Sequence, residues 1–385
     1  MDKKYLYLLS FGHVSADINM GALPAILPFF VSEYGMNYTD VAGIIFASSF
    51  LSSVVQPAFG YMADKKERQW FMGLGVLITG LSLAITGFIR DYWTIFFFVT
   101  MMGVGNAIFH PEGARNVNKI SGAKKGGGMS IFGVGGNIGI GTGPLLAVFL
   151  LTTFGMKGLL FFGILALCTS AMLFFVGGRI KNIANQATAS VGEKSKSVEK
   201  NNWSAFRRLF AVILFRSAAI TAITGFLPLF CIHILSASPA AAGATLTVLS
   251  LCGAFATLIG GYLSDKIGYV KVIRIGACLL IPCVAVIAFS HSIYAVYAVL
   301  IPLSLAMQGS YSAYIVLGQS YLAKSVGFAS GVTLGLSFSI GGMVMPFLGK
   351  FADNFGLEGL MTLEIGIAVC CALATLLLPS LTKKA

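Results

Sequence analysis

Apolar residues dominate this chain in long runs, separated by short polar segments that carry most of its lysine and arginine. Twelve runs can be drawn, near residues 5–33, 38–62, 70–89, 92–114, 127–153, 157–177, 206–235, 240–263, 270–289, 292–317, 326–350 and 357–379. A helix of about 20 apolar residues crosses the roughly 30 Å hydrocarbon core of a bilayer. Helices suit that solvent because they satisfy their own backbone hydrogen bonds. The pattern predicts an all-α membrane protein with twelve transmembrane helices. The first run follows the basic sequence MDKK, but it is too long for a signal-peptide core and lacks a small-residue cleavage site. It is read as the first span.

Composition agrees. Of 385 residues, 57% are hydrophobic and 10% charged, and the mean hydropathy is +0.86. A soluble globular chain carries about 25% charged residues. With the amino terminus inside, 22 Lys and Arg fall on the inner side and 3 (Arg90, Lys157 and Lys350) on the outer, while Arg216 lies within a span. The positive-inside rule then puts both termini in the cytoplasm of a cell membrane. The same asymmetry accounts for the formal net charge of +12, so no nucleic-acid-binding face is needed. All seven cysteines lie in apolar runs without metal-ligand spacing and read as buried free thiols. No metal and no cofactor is expected.

One segment breaks the pattern. From Gly177 to Asn202 the chain is polar and rich in Lys, Ser and Asn, which reads as a flexible cytoplasmic linker between two sets of six spans. The expected organisation is a bundle over 1–177, a linker over 178–205 and a second bundle over 206–385. The two halves also repeat. Gly21-Ala-Leu-Pro24 recurs as Gly225-Phe-Leu-Pro228, and Gly60-Tyr-Met-Ala-Asp-Lys65 as Gly261-Tyr-Leu-Ser-Asp-Lys266. Parallel six-helix repeats imply two pseudo-symmetric bundles related by an axis along the membrane normal.

The loop after the second span, Gly60-x-x-x-Asp64-Lys65-x-x-Arg68, resembles the signature of the major facilitator superfamily, and Gly261-x-x-x-Asp265-Lys266-x-Gly268 is its echo. GHVSADINMGALPAILPFF in span 1, FHPEGARN in span 4 and MSIFGVGGNIGIGTGP in span 5 resemble the fosmidomycin-resistance-type branch. The resemblance implies a monomeric transporter, not an enzyme, that exports small drugs or related metabolites in exchange for protons by alternating access. It also implies that Asp64 pairs with the loop Arg and the start of the eleventh span, expected near Ser325–Gly327, to close the cytoplasmic side. Asp64 itself sits at a helix carboxyl end, where the dipole is already negative, so it needs a positive neighbour. A simple topology anchor is the other reading. Gly139-x-x-x-Gly143-Pro144 resembles the front of an antiporter motif, with Ala147 and Val148 where further glycines are expected. Small residues permit close helix packing and Pro144 a bend, and Pro346 plays the corresponding part in span 11.

Charges inside the spans carry the chemistry. His13 and Asp17 are four apart and share a helix face, about 12 and 18 Å along the axis from Tyr5. A charge at the middle of the membrane costs about 2.5–3.5 kcal/mol on the insertion scale. The pair reads as a proton relay or as a hydrogen-bonded structural tie. In IFHPEGARN, Pro111 is expected to break the helical ladder, with His110 and Glu112 facing a water-accessible vestibule within reach of the span 1 pair. His13, Asp17, His110 and Glu112 are therefore the proton-coupling candidates. The mid-span-4 Arg common in proton-coupled drug antiporters is replaced by Val99. Arg115 and Arg216 could bind an anionic group such as a phosphonate or carboxylate, or Arg216 could snorkel to the surface. Asn106 and Gln308 occupy matching places in the two halves, and with Tyr311 and Tyr314 they either line a pocket or pack. Proton symport of a small anionic nutrient is the alternative to export. An intramembrane enzyme is disfavoured because neither a zinc-binding HExxH pair nor a Gly-x-Ser-x-Gly nucleophile motif occurs. Glu364, in the last span, finds no role in this scheme.

Overall fold

The computed structural model describes residues 3–36, 38–66, 68–192 and 200–379. The described chain is helical, with α1 (Lys3–Tyr34), α2 (Tyr38–Lys65), α3 (Trp70–Ile85), α4 (Tyr92–Ile120), α5 (Lys125–Phe154) and α6 (Leu160–Gly192) in its first half. The second half holds α7 (Trp203–His233), α8 (Pro239–Ile267), α9 (Tyr269–Ala288), α10 (Ile293–Gln308), α11 (Tyr311–Tyr321), α12 (Val326–Gly331) and α13 (Ser337–Leu376). A π-helical turn, Val332–Leu336, joins α12 to α13, and Gly356 in a left-handed conformation (φ 74°) divides α13 in two. Because α10 with α11 makes one pass and α13 contributes to two, the helices supply the twelve passes expected.

Local sequence explains where the helices start. Asp91, Asn202 and Ser238 each accept a hydrogen bond from the backbone N–H three residues on, at 2.8, 2.9 and 3.2 Å, and so cap α4, α7 and α8. Pro239 follows its cap at the first helical turn, where a missing N–H does no harm.

Three expectations need correction. Pro111 does not break α4, which runs unbroken from Tyr92 to Ile120; a proline removes one donor, and the surrounding ladder holds the turn. The polar segment after Gly177 does not leave the helix at once: α6 continues to Gly192, with Ala184, Ala187 and Ala189 among its last residues. Finally, the tenth pass is interrupted at Gly309 and Ser310. Gly260 of α8 lies directly against the Gly309 backbone, an approach that any side chain at 260 would prevent.

The chain forms two compact units. One comprises residues 1–200 together with 323–336, and the other 201–322 together with 337–385. In the first, Phe30, Ile44, Leu83, Ile95, Val99 and Phe162 belong to a fully buried apolar cluster. In the second, Leu227, Phe230, Val296, Leu300, Leu303 and Leu360 do the same. Within the first unit α1 and α5 meet backbone to backbone. Gly139 faces the Val14 carbonyl and the Ile18 N–H, and Gly143 and Gly21 carry the contact further along both helices.

Candidate functional site

That seam positions a buried polar cluster of the first unit. Asp17, one turn beyond His13 on α1, is 6% exposed, and each of its oxygens meets an imidazole. His13 Nε2 lies 3.1 Å from Oδ2, and His110 Nε2 of α4 lies 2.9 Å from Oδ1. Asn106, one turn before His110, donates to Oδ1 at 3.1 Å. His13 Nδ1 stands 2.7 Å from the Phe132 carbonyl of α5, and its ring stacks on the Phe132 ring with centroids 4.1 Å apart. Gly136 makes room for the pair: a Cβ there would sit 2.7 Å from His13 Nε2 and 2.8 Å from Asp17 Oδ2.

His13, Asp17 and His110 present ligand atoms within 4.8 Å of one another, so the three could in principle hold a metal ion. Their separations of 2.9–3.1 Å are those of nitrogen and oxygen sharing hydrogens. The arrangement is a buried hydrogen-bonded network of one carboxylate, two imidazoles and an amide.

Glu112 does not join it. Positions two apart on a helix face different ways, so with His110 turned toward Asp17, Glu112 turns away. It is fully buried, accepting from Asn116 Nδ2 at 3.1 Å and lying 3.7 Å from Arg115 Nη1. Arg115 in turn reaches Asp64, with Nε 3.9 Å from Oδ1. Arg115 is thus engaged by two carboxylates. The vestibule expectation for Glu112 gives way to a buried ion-paired chain through Arg115 to Asp64.

Asp64 ends that chain. Its Oδ1 accepts the Gly327 N–H at 2.7 Å and its Oδ2 the Phe328 N–H at 2.9 Å, satisfying two of the free donors at the start of α12. The spacing Gly60-x-x-x-Asp64 now has a physical reason. The two residues lie on one face of α2; Gly60 lets the Gly327 backbone approach, and Asp64 then meets the amides beyond it. Burial pushes the Asp64 carboxyl up from its ordinary value, opposed by the two backbone donors, Arg115 and Lys119. Lys65 and Arg68 lie instead over aromatic rings, at 4.7 Å from Tyr61 and 5.2 Å from Phe71. In the echo loop, Asp265 accepts from the Tyr269 hydroxyl at 3.0 Å and Lys266 lies 4.4 Å from the Tyr262 ring. Gly261 is buried beside them on α8.

In the second unit Arg216 is partly exposed. Its Nη2 donates to the Met307 carbonyl at 2.5 Å, its guanidinium lies 5.0 Å over the Tyr314 ring, and its Nε has no acceptor. Among the described residues no carboxylate pairs with it. Tyr311 and Gln308 are partly exposed, and Gln308 packs near Gly253. Pro144 lies within an unbroken α5, and the side chain of Pro346 is outside the described residues. Sequence reasoning missed the Phe132 carbonyl, Gly136 and the Met307 carbonyl, since a backbone acceptor or a space leaves no signature of its own.

A sequence profile described as Major Facilitator Superfamily matches residues 9–346. The chain belongs to the Major Facilitator Superfamily. An uncharacterized MFS-type transporter of Bacillus subtilis (strain 168), YfnC, is 29% identical over 380 residues, covering 97% of this chain and 92% of that protein. The fosmidomycin resistance protein of Escherichia coli (strain K12) is 24% identical over 355 residues, covering 91% and 86%. Among solved structures, the human organic anion transporter MFSD10 (TETRAN) superposes with a TM-score of 0.74 at 16% identity, covering 97% and 98%, a likeness of fold alone. Superfamily membership makes this chain a multi-pass membrane transporter with the twelve-helix fold, a fold of transporters rather than of enzymes.

Proposed function

We propose that this transporter exchanges protons for a small drug or anionic metabolite and exports it across the cell membrane by alternating access, with both termini in the cytoplasm. The single observation that carries the reading is Asp17, buried in a span and held between two imidazoles and an amide. Intramembrane ionisable groups mark ion pathways by default, and a cluster of imidazoles around a carboxylate can take up and give back protons. Asn106 belongs with these coupling groups rather than with the cargo. Arg216, without a carboxylate, is the anchor for an anion, with Tyr311, Tyr314 and Gln308 around it. The fosmidomycin resistance protein among the relatives supports a cargo of that chemistry. Asp64, Gly60 and Arg115 form the gate, and Glu112 holds Arg115 in place.

The test uses purified protein in liposomes with fosmidomycin as the probe. Asp17→Asn should abolish transport driven by a pH gradient while leaving the protein folded; normal coupled transport would remove Asp17 from the proton path. Direction is read separately in cells. Fosmidomycin accumulation that rises with the proton gradient would replace export by proton symport.

A further inference from the structure

The two histidines around Asp17 are not equivalent. His13 Nδ1 lies 2.7 Å from a carbonyl oxygen, which can only accept, so Nδ1 carries a hydrogen. Nε2 of the same ring lies 3.1 Å from Asp17 Oδ2, a second acceptor. One proton beyond that of a neutral imidazole must therefore lie on the line between Nε2 and Oδ2. The other carboxylate oxygen already accepts from Asn106 at 3.1 Å and from His110 at 2.9 Å. Two other N–H donors, from Asn106 and His110, favour the charged form of this carboxylate, which places the shared proton on His13. His13 and Asp17 make an imidazolium–carboxylate pair, neutral as a whole. It is sealed in: His13 is 3% exposed, with the rings of Phe132 and Phe109 beside it. Removing its proton would set a bare nitrogen against a carboxylate oxygen in dry surroundings.

His110 differs on each count. Its Nε2 donates to Asp17, and its Nδ1 has no hydrogen-bond partner among the described residues. Its side chain is 15% exposed, the most of the three. The helices around the cluster bring no competing charge. Along α5 the only titratable side chain is Lys125, at its start, and Glu112 of α4 is turned toward Arg115 and Asn116. The charged groups that face Asp17 are His13 and His110 themselves.

We propose that His110 loads and releases the transported proton at Nδ1, whereas His13 is a positioning residue that keeps its proton and holds Asp17 as a fixed counter-charge. Loading then changes the cluster from neutral to a single positive charge, so one proton is carried per cycle at this site. The inference rests on the proton-coupling reading above.

Nitrogen NMR on histidine-labelled, full-length protein in lipid nanodiscs tests it without any cargo. Ring nitrogens with and without a hydrogen give separate signals. The chain has four histidines, and a His233→Gln, His291→Gln background leaves the two of interest. Three hydrogen-bearing nitrogens and one bare nitrogen are expected in the unloaded protein, with the bare signal lost when acidification loads the proton. His110→Gln should lack the bare signal from the outset, and His13→Gln should keep it. A bare signal that persists in His110→Gln, or one absent throughout, overturns the assignment. The liposome assay of Asp17→Asn reads coupling and the NMR reads where protons reside, so either can fail without the other.

Discussion

Asp64→Asn keeps the size of the side chain and removes its charge. In the native protein the carboxylate accepts the Gly327 and Phe328 amides at 2.7 and 2.9 Å. A hydrogen bond to a charged group contributes about 1.5–3 kcal/mol, and a neutral one about 0.5–1.5 kcal/mol. Asparagine retains one neutral acceptor and turns its own NH2 toward the other amide. It also forfeits the attraction of Arg115 Nε at 3.9 Å. Against these losses, the neutral amide is spared the desolvation that raises the Asp64 pKa. The balance is about 1–3 kcal/mol, or about 5–150-fold in the docking equilibrium of α12 on α2. Hydrogen–deuterium exchange of a peptide covering residues 325–331 reads it directly, and exchange should quicken by that factor while peptides from α9 stay as they were. Unchanged exchange would refute the argument and leave Asp64 as a topology anchor.

Gly136→Ala puts a methyl group 2.7 Å from His13 Nε2 and 2.8 Å from Asp17 Oδ2. It should prise the pair apart and uncouple fosmidomycin transport from the pH gradient in liposomes; full coupling would show that the pair tolerates separation. Arg216→Gln should weaken fosmidomycin binding, measured by calorimetry, by about 1.5–3 kcal/mol, the contribution of a charge-assisted hydrogen bond; unaltered affinity would take Arg216 out of the cargo site. Glu364 is fully buried with neither oxygen hydrogen-bonded. Glu364→Met, similar in volume, should relieve about 1–3 kcal/mol of unsatisfied burial and raise Tm; a lower Tm would mean that the carboxyl is worth more to the fold than its apolar replacement.

The membrane-spanning architecture was legible because the bilayer imposes one rule on every pass. The pairing of Asp17 with His13 was legible too, since a spacing of four sets both on one face. Its partnership with His110 on another helix was placed correctly only as a neighbourhood. Glu112 was assigned to that neighbourhood wrongly because sequence proximity to His110 was taken for spatial proximity, and α4, running straight through Pro111, turns the two side chains apart. Arg115 looked like a free cation until folding brought Asp64 beside it. The approach of Gly260 on α8 to the Gly309 backbone was hidden because the two lie some fifty residues apart in the chain. Contacts of that kind follow from the assembled helices and not from either local pattern.

The glycine seam between α1 and α5 has a mechanical consequence. With peptide planes in direct touch at Gly139, Gly143 and Gly21, no cushion of side chains is left to deform, and the two helices must travel as a single spar. Phe132, His13 and Asp17 all ride on that spar, so their mutual geometry survives any displacement of it. His110 rides on α4. The His110–Asp17 link therefore depends on how α4 sits against that spar, whereas the His13–Asp17 pair does not.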